Sequence, residues 1–271
     1  MPASRITAKW MRRVLCAAMM GALLGLTSPA AARGQEAARS IARLDVAVGS
    51  SLYPVSIITP KGYATSERWP VILLLHGAGN RGTDGVRPVQ RFAPLFDENY
   101  PAIVVLPQLP PHLSWQGRGT DVALAALDSA LTRFSGDTSR VYLVGVSMGG
   151  NGVWSVAWRA QSRFAALVAM CGFAVARRGT SGTEYPPIAP DNTYASVAAA
   201  FRTIPVWIFH GDADPQVPVE ESRRLAAALQ SVQAPARYTE LPGLGHDIAA
   251  NVLSRRDLVE WLFMQRRTSP R

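Results

Sequence analysis

One stretch constrains the fold of this chain more than any other: Arg140 to Gly150, reading R-V-Y-L-V-G-V-S-M-G-G. Val141 to Val144 is a short apolar run rich in β-branched and aromatic residues, the composition of a strand buried on both faces. Gly145-Val146-Ser147-Met148-Gly149 follows without a gap, and a helical pattern follows that. A G-x-S-x-G pattern between strand and helix puts the serine at the tip of a sharp, strained turn. The flanking glycines remove the Cβ atoms that would hold the two elements apart. The helix behind Ser147 turns its positive end and its free N–H groups toward whatever binds at the serine. Three fixed positions in five are a weak signal alone, so the weight falls on the flanks and on what lies downstream.

The flanks belong to a regular alternation. Ile41 to Val48 and Tyr53 to Thr59 read as two strands of a hairpin around Gly49-Ser50-Ser51. Val71 to Leu75 is an unbroken apolar run, as expected of a strand in a parallel sheet covered on both faces. Ala102 to Leu106 is a further strand. Asp121 to Phe134 reads as a helix capped by Thr120, with Leu124, Leu127, Leu131 and Phe134 on its inner face. After the central strand come a helix over Asn151 to Ala160 and a strand over Ala165 to Met170. Residues 172 to 204 are irregular, with a short helix near Ala195 to Phe201. Then follow a strand over Val206 to His210, a helix over Pro218 to Leu229, a strand over Arg237 to Leu241 and one closing helix over Leu253 to Arg266. Alternation of this kind predicts an α/β fold: a mostly parallel sheet with helices on both faces, in a single domain.

In such sheets reactive groups gather beyond the carboxyl ends of the strands. Four polar clusters fall there: His76-Gly77, Ser147, His210-Gly211-Asp212-Ala213-Asp214 and Gly243-Leu244-Gly245-His246. A serine hydroxyl is a poor nucleophile near neutral pH and needs a base, which in turn needs a carboxylate to orient it. The chain has four histidines. His112 lies in a proline-rich loop, and His76 and His210 at strand ends suit loop bracing. His246 follows the last strand, where the order Ser…Asp…His places the base. Asp212, Asp214 and Asp247 compete for the acid. Asp247 adjoins His246, and adjacent side chains in a turn seldom face each other. Asp214, just before the helix near Pro218, is favoured over Asp212, which suits a turn cap.

The chain has 271 residues and a net charge of +9. Arg5, Lys9, Arg12 and Arg13 precede an apolar run from about Val14 to Leu26, and small residues end in Ala30-Ala31-Ala32. A basic start, a short apolar middle and an A-x-A exit predict a cleaved secretory signal over residues 1–32 rather than a membrane anchor. A disordered leader over 33–40 and a catalytic domain over 41–271 follow. The protein is therefore expected in the periplasm or the medium. The remaining charges are scattered, with no basic run interleaved with aromatics, which argues against a nucleic-acid partner. Cys171 would be the one cysteine left, so no internal disulfide is expected, and its place at the end of an apolar run reads as a small buried hydrophobe.

Five segments together resemble the α/β-hydrolases. They are His76-Gly77-Ala78-Gly79-Asn80-Arg81-Gly82, Pro107-Gln108, Gly145 to Gly150, His210 to Pro218 and Pro242 to Asp247. The nearest group is the exported esterase or "predicted peptidase" branch related to phospholipase/carboxylesterases and dienelactone hydrolases, and the likeness covers most of residues 70 to 267. It implies Ser147 as nucleophile, Asp214 as acid and His246 as base. It also implies backbone N–H groups of Met148 and Ala78 as the oxyanion hole. Dienelactone hydrolases proper carry a cysteine where this chain has Ser147.

The chemistry implied is hydrolysis of small-molecule or polymer-linked carboxylic esters through an acyl-enzyme, with no metal and no organic cofactor. Two alternatives stay open. One is a serine peptidase of prolyl-oligopeptidase type, which usually pairs this triad with a propeller domain. The other is a non-catalytic envelope binding protein on an inherited hydrolase fold. Trp115, with His76 and Gly77, is expected to wall the substrate pocket, Arg81 and Asp84 to pair locally, and residues 172 to 195 to form a small cap over an otherwise fairly open cleft.

Overall fold

The computed structural model describes residues 38–96, 100–179, 182–191 and 193–267. The expected signal segment, 1–32, and most of the expected leader lie outside the described residues. The first strand already begins at Ser40.

Strands β1 (Ser40–Val48) and β2 (Ser51–Thr59) form the antiparallel hairpin, paired from Ser40 opposite Thr59 to Val48 opposite Ser51. The remaining main strands are β3 (Trp69–Leu75), β4 (Ile103–Pro107), β5 (Gly136–Val146), β6 (Ala166–Met170), β9 (Val206–Gly211) and β10 (Ala236–Leu241). Two short strands, β7 (Arg177–Arg178) and β8 (Glu184–Tyr185), form a separate antiparallel ribbon. The main sheet runs β1-β2-β4-β3-β5-β6-β9-β10, and every pairing from β4 to β10 is parallel. Ser147 follows the strand that lies between β3 and β6.

The helices are α1 (Arg87–Phe92), α2 (Arg118–Arg133), α3 (Met148–Arg159), α4 (Thr193–Ala200), α5 (Glu220–Ser231), α6 (Ala249–Leu253) and α7 (Arg256–Met264). Alternation along β3 sorts them into two layers, because successive side chains point to opposite faces. Val71, Leu73 and Leu75 belong to the core layer that also holds Val122 and Ala126 of α2, Trp154 of α3 and Leu225 of α5. Ile72 and Leu74 belong to the opposite layer, with Phe92 of α1, Val252 of α6 and Leu258 and Trp261 of α7. Both faces of β3 are therefore dry, as its unbroken apolar run requires.

Two helix expectations change. Thr120 is not a cap: α2 starts earlier, behind Gly117, and the Thr120 hydroxyl donates to Trp115 O at 2.8 Å. The buried face of α2 carries Val122, Ala123, Ala126, Leu127 and Ala130, while Leu124, Leu131 and Phe134 are half-buried. Small side chains let the helix lie close on the sheet, and that face has no large-residue stripe to announce it. The closing helix is two helices, broken at Ser254–Arg255. Leu253 and Leu258 are five apart, so one continuous helix could not turn both to the core. No helix among the described residues is long and apolar enough to cross a membrane.

Candidate active site

The turn at Ser147 is as tight as its glycines imply. Ser147 has φ 58° and ψ −118°, a backbone conformation rare for a residue with a Cβ. A Cβ on Gly149 would stand 1.9 Å from Leu75 O, and one on Gly145 would stand 2.1 Å from Gly149 O. Any side chain at either position would push α3 off β3 and β5. The Ser147 amide donates to Met170 O at 2.8 Å, which pins the turn to the neighbouring strand.

Three side chains from three strand ends meet here. Ser147 Oγ lies 2.7 Å from His246 Nε2, and His246 Nδ1 lies 2.7 Å from Asp214 Oδ2. The Asp214 side chain is inaccessible to solvent, and that of His246 retains 14% exposure. The carboxylate is fully engaged. Oδ1 accepts from the amides of Gln216 and Val217 at 2.8 and 2.9 Å, and Oδ2 accepts from His246 and His210. Burial alone would raise the Asp214 pKa, but the hydrogen bonds from His210, His246, Val217 and Gln216 outweigh it and hold the group well below the usual carboxylate range.

His210 braces its loop, as its place at a strand end suggested, and the structure adds that the brace includes Asp214. Its ring is buried, with Nε2 3.2 Å from Asp214 Oδ2 and 3.0 Å from Val217 O, and Nδ1 2.6 Å from Ser222 Oγ. Both partners of Nε2 are acceptors, so Nε2 carries the proton and the Ser222 hydroxyl donates to Nδ1. His210 thus fixes the acid from the side away from His246. Asp212 instead faces the next loop, where Oδ1 accepts from the Gly243 amide at 2.7 Å. Asp247 is exposed and ion-paired with Arg91.

A narrow cavity of about 50 Å3 opens over Ser147, lined by Ala78, Met148, Phe173, Arg177, Tyr185 and His246 among others. Two roomier hollows, about 410 and about 660 Å3, lie beside β2 and α5 and do not touch Ser147. Ala78 and Met148 each open a helical turn, so neither amide has an acceptor within its own turn.

The expected pocket wall is corrected. Trp115 is fully buried beneath the site, donating from Nε1 to His76 O at 2.9 Å, and it does not line the cavity. His76 is buried too: its Nε2 accepts from the Leu109 amide at 3.1 Å and its Nδ1–H donates to Gly77 O at 2.7 Å. Gly77 packs near the Ser147 Cβ but is likewise absent from the lining. Arg81 does not pair with Asp84. It donates to Pro111 O, to Thr183 Oγ1 at 3.1 Å and to the Tyr185 hydroxyl at 3.1 Å. His112 is exposed and outside the lining. The β7–β8 ribbon, which lies within the segment 172–195 expected to cap the site, supplies the wall, and the cleft is narrower than the fairly open one expected. No strong local pattern marks Phe173, Arg177 and Tyr185 as wall residues, since only the ribbon's fold over Ser147 brings them there.

Cys171 is buried, with φ 40°, and its thiol donates to His246 O at 3.2 Å. Burial and the nearby Asp214 push the thiol pKa up. Cys171, Asp214 and His246 present ligand-type atoms within 4.8 Å of one another. The thiol donates to the His246 carbonyl and the other two atoms bond each other, so the three form one hydrogen-bonded group.

Comparison with known proteins agrees with the fold. The model of the prolyl oligopeptidase family matches residues 112–267, more than half of the chain. No curated protein sequence matches it. A thermostable esterase shares 27% identity and superposes with a TM-score of 0.72; the match covers 84% of this chain but 63% of that one. An S-formylglutathione hydrolase from Staphylococcus aureus shares 15% identity with a TM-score of 0.65, over 84% of this chain and 97% of that one. A ferulic acid esterase from Anaeromyces mucronatus shares 14% with a TM-score of 0.60, over 84% and 90%. The last two likenesses are of fold alone.

Proposed function

The chain belongs to the prolyl oligopeptidase family, and from that premise we propose that it is a serine hydrolase of carboxylic esters working through an acyl-enzyme on Ser147. The observation that carries this reading is the unbroken hydrogen-bond path from Ser147 through His246 to Asp214 at the floor of a narrow cavity. Ser147 Oγ attacks the carbonyl carbon while its proton passes to His246 Nε2, and Asp214 holds the Nδ1–H in place. The negative oxygen of the tetrahedral intermediate is bound by the amides of Ala78 and Met148, a pair in which losing one donor typically costs about a hundred- to a thousand-fold. His246 returns the proton to the departing alcohol. Water, deprotonated by His246, then attacks the acyl-enzyme and frees the acid and Ser147.

The cavity favours an ester with a short acyl group, and the esterase at 27% identity supports ester over amide. The family's name favours peptide hydrolysis as the second reading. A fluorophosphonate probe is expected to label wild type at Ser147, and Ser147→Ala to lose both labelling and turnover of a short-chain nitrophenyl ester while keeping its fold by circular dichroism. Labelling elsewhere in Ser147→Ala would refute the assignment. A peptide anilide cleaved faster than the ester would move the function to the second reading. The basic, apolar and A-x-A order of the first 32 residues supports export, tested by sequencing the N-terminus of the secreted form, expected near Arg33.

A further inference from the structure

The wall over Ser147 carries an unbalanced charge. In the β7–β8 ribbon Arg177 stands opposite Tyr185 and Arg178 opposite Glu184. Side chains alternate along a strand. Arg178 and Glu184 are exposed, whereas Arg177 is half-buried, Tyr185 is buried, and both line the cavity. Of two consecutive arginines, the outer has a carboxylate across from it and the inner does not. Among the described residues no carboxylate pairs with Arg177, and no aspartate or glutamate lines the cavity. Asp214, the nearest acid in the catalytic group, is turned away and spent on four donors.

Arg177 is held in position. One Nη2 bond goes to Gln216 O at 2.7 Å, and the guanidinium lies 4.9 Å from the centre of the Phe173 ring. A guanidinium has five N–H donors, so most remain for a ligand. A second cation stands behind the same wall. Arg81 is only 7% exposed, reaches the Tyr185 hydroxyl, has no carboxylate partner among the described residues, and leaves its buried Nε without a partner. Buried charge without a counter-charge is costly. One such buried cation behind the wall, and a half-buried one without a carboxylate lining it, are an arrangement that an anionic ligand would relieve.

We propose that Arg177 forms an anion subsite beside Ser147, and that the ester cleaved there carries a carboxylate close to its scissile group. This rests on the ester-hydrolase reading and narrows it. A planar carboxylate takes two parallel hydrogen bonds from a guanidinium, a match that a lysine ammonium does not reproduce.

The test uses two pairs of esters in which a carboxylate replaces a methyl. Monomethyl succinate against methyl butyrate probes the acyl side, and 4-acetoxybenzoate against 4-tolyl acetate probes the alcohol side. Wild type is expected to favour the anionic member of one pair by about tenfold or more in kcat/KM. Arg177→Gln should lose most of that preference, Arg177→Lys should keep part of it, and Arg178→Gln, on the outer face, should leave both the preference and the basal rate unchanged. Neutral esters turned over with Ser147 labelled but no anion preference in either pair, or a preference that survives Arg177→Gln, would overturn the subsite and leave the ester-hydrolase reading standing. If no ester is cleaved, both fall together.

Discussion

Ser147, His246 and Asp214 show how far single residues can be read. The glycine frame and the chain order pointed to the first two, and of the competing Asp212 and Asp214 only Asp214 reaches the imidazole. Asp214→Asn is expected to lower kcat about ten-thousand-fold, since the amide leaves the imidazole in the wrong tautomer. Asp212→Asn, which disturbs one loop bond, should cost a few-fold at most; the reverse order in an ester assay would reassign the acid. A second prediction concerns His76. Burial, with help from Arg81 and against the bond to Gly77, lowers its pKa to about 4. The unfolded chain takes up this proton near 6.5 and the folded one only near 4. The site's stabilisation is therefore full above 6.5 and is lost as pH falls toward 4, by about 3 kcal/mol at 1.36 per unit. Urea unfolding at pH 7 and 4.5 should show that difference shrinking in His76→Gln. An equal difference in both proteins would place the proton elsewhere.

Elements were legible where their signal was periodic or apolar, and less so where packing chose the face. β3 and β5 needed no tertiary information, because only a sheet covered on both sides accommodates such runs. α2 buries small residues that carry little pattern, and the end of the chain breaks at Ser254–Arg255 for reasons of phase between two apolar groups. The junction of β5 and α3 yields the third prediction. Gly149→Ala places a methyl 1.9 Å from the Leu75 carbonyl, which is backbone and cannot swing aside. Overpacking of this kind costs about 1–3 kcal/mol or more. The Tm should fall, and probe labelling at Ser147 should fall further than stability alone explains, because α3 also carries the Met148 amide. A Gly149→Ala protein with wild-type Tm and labelling would mean the turn has slack it does not show.

At the scale of the whole molecule, the parallel sheet gathers its polar groups on one edge, with the Asp214 carboxylate held ionised there. Four hydrogen bonds keep Asp214 charged through the working range despite its burial. The acid limb of kcat/KM should therefore fall with a slope of one, with no contribution from Asp214. Addition of a chelator should not alter the rate in this mechanism. A slope approaching two would show the carboxylate protonating as well, and chelator sensitivity would put a metal in the reaction.

By itself the sequence determined the alternation of strands and helices and the edge of the sheet where polar groups collect, and it singled out Ser147 and His246 as candidates, because each rests on local steric rules and on short-range order along the chain. Only the tertiary structure decided which aspartate reaches His246, that His210 bonds the same carboxylate, that Trp115 and His76 lie beneath the site, and that Arg177 lines it. Those are contacts between residues far apart in the chain, such as Arg81 with Tyr185 or Asp214 with His246. Nothing in the local pattern around either partner records where the fold will bring the other.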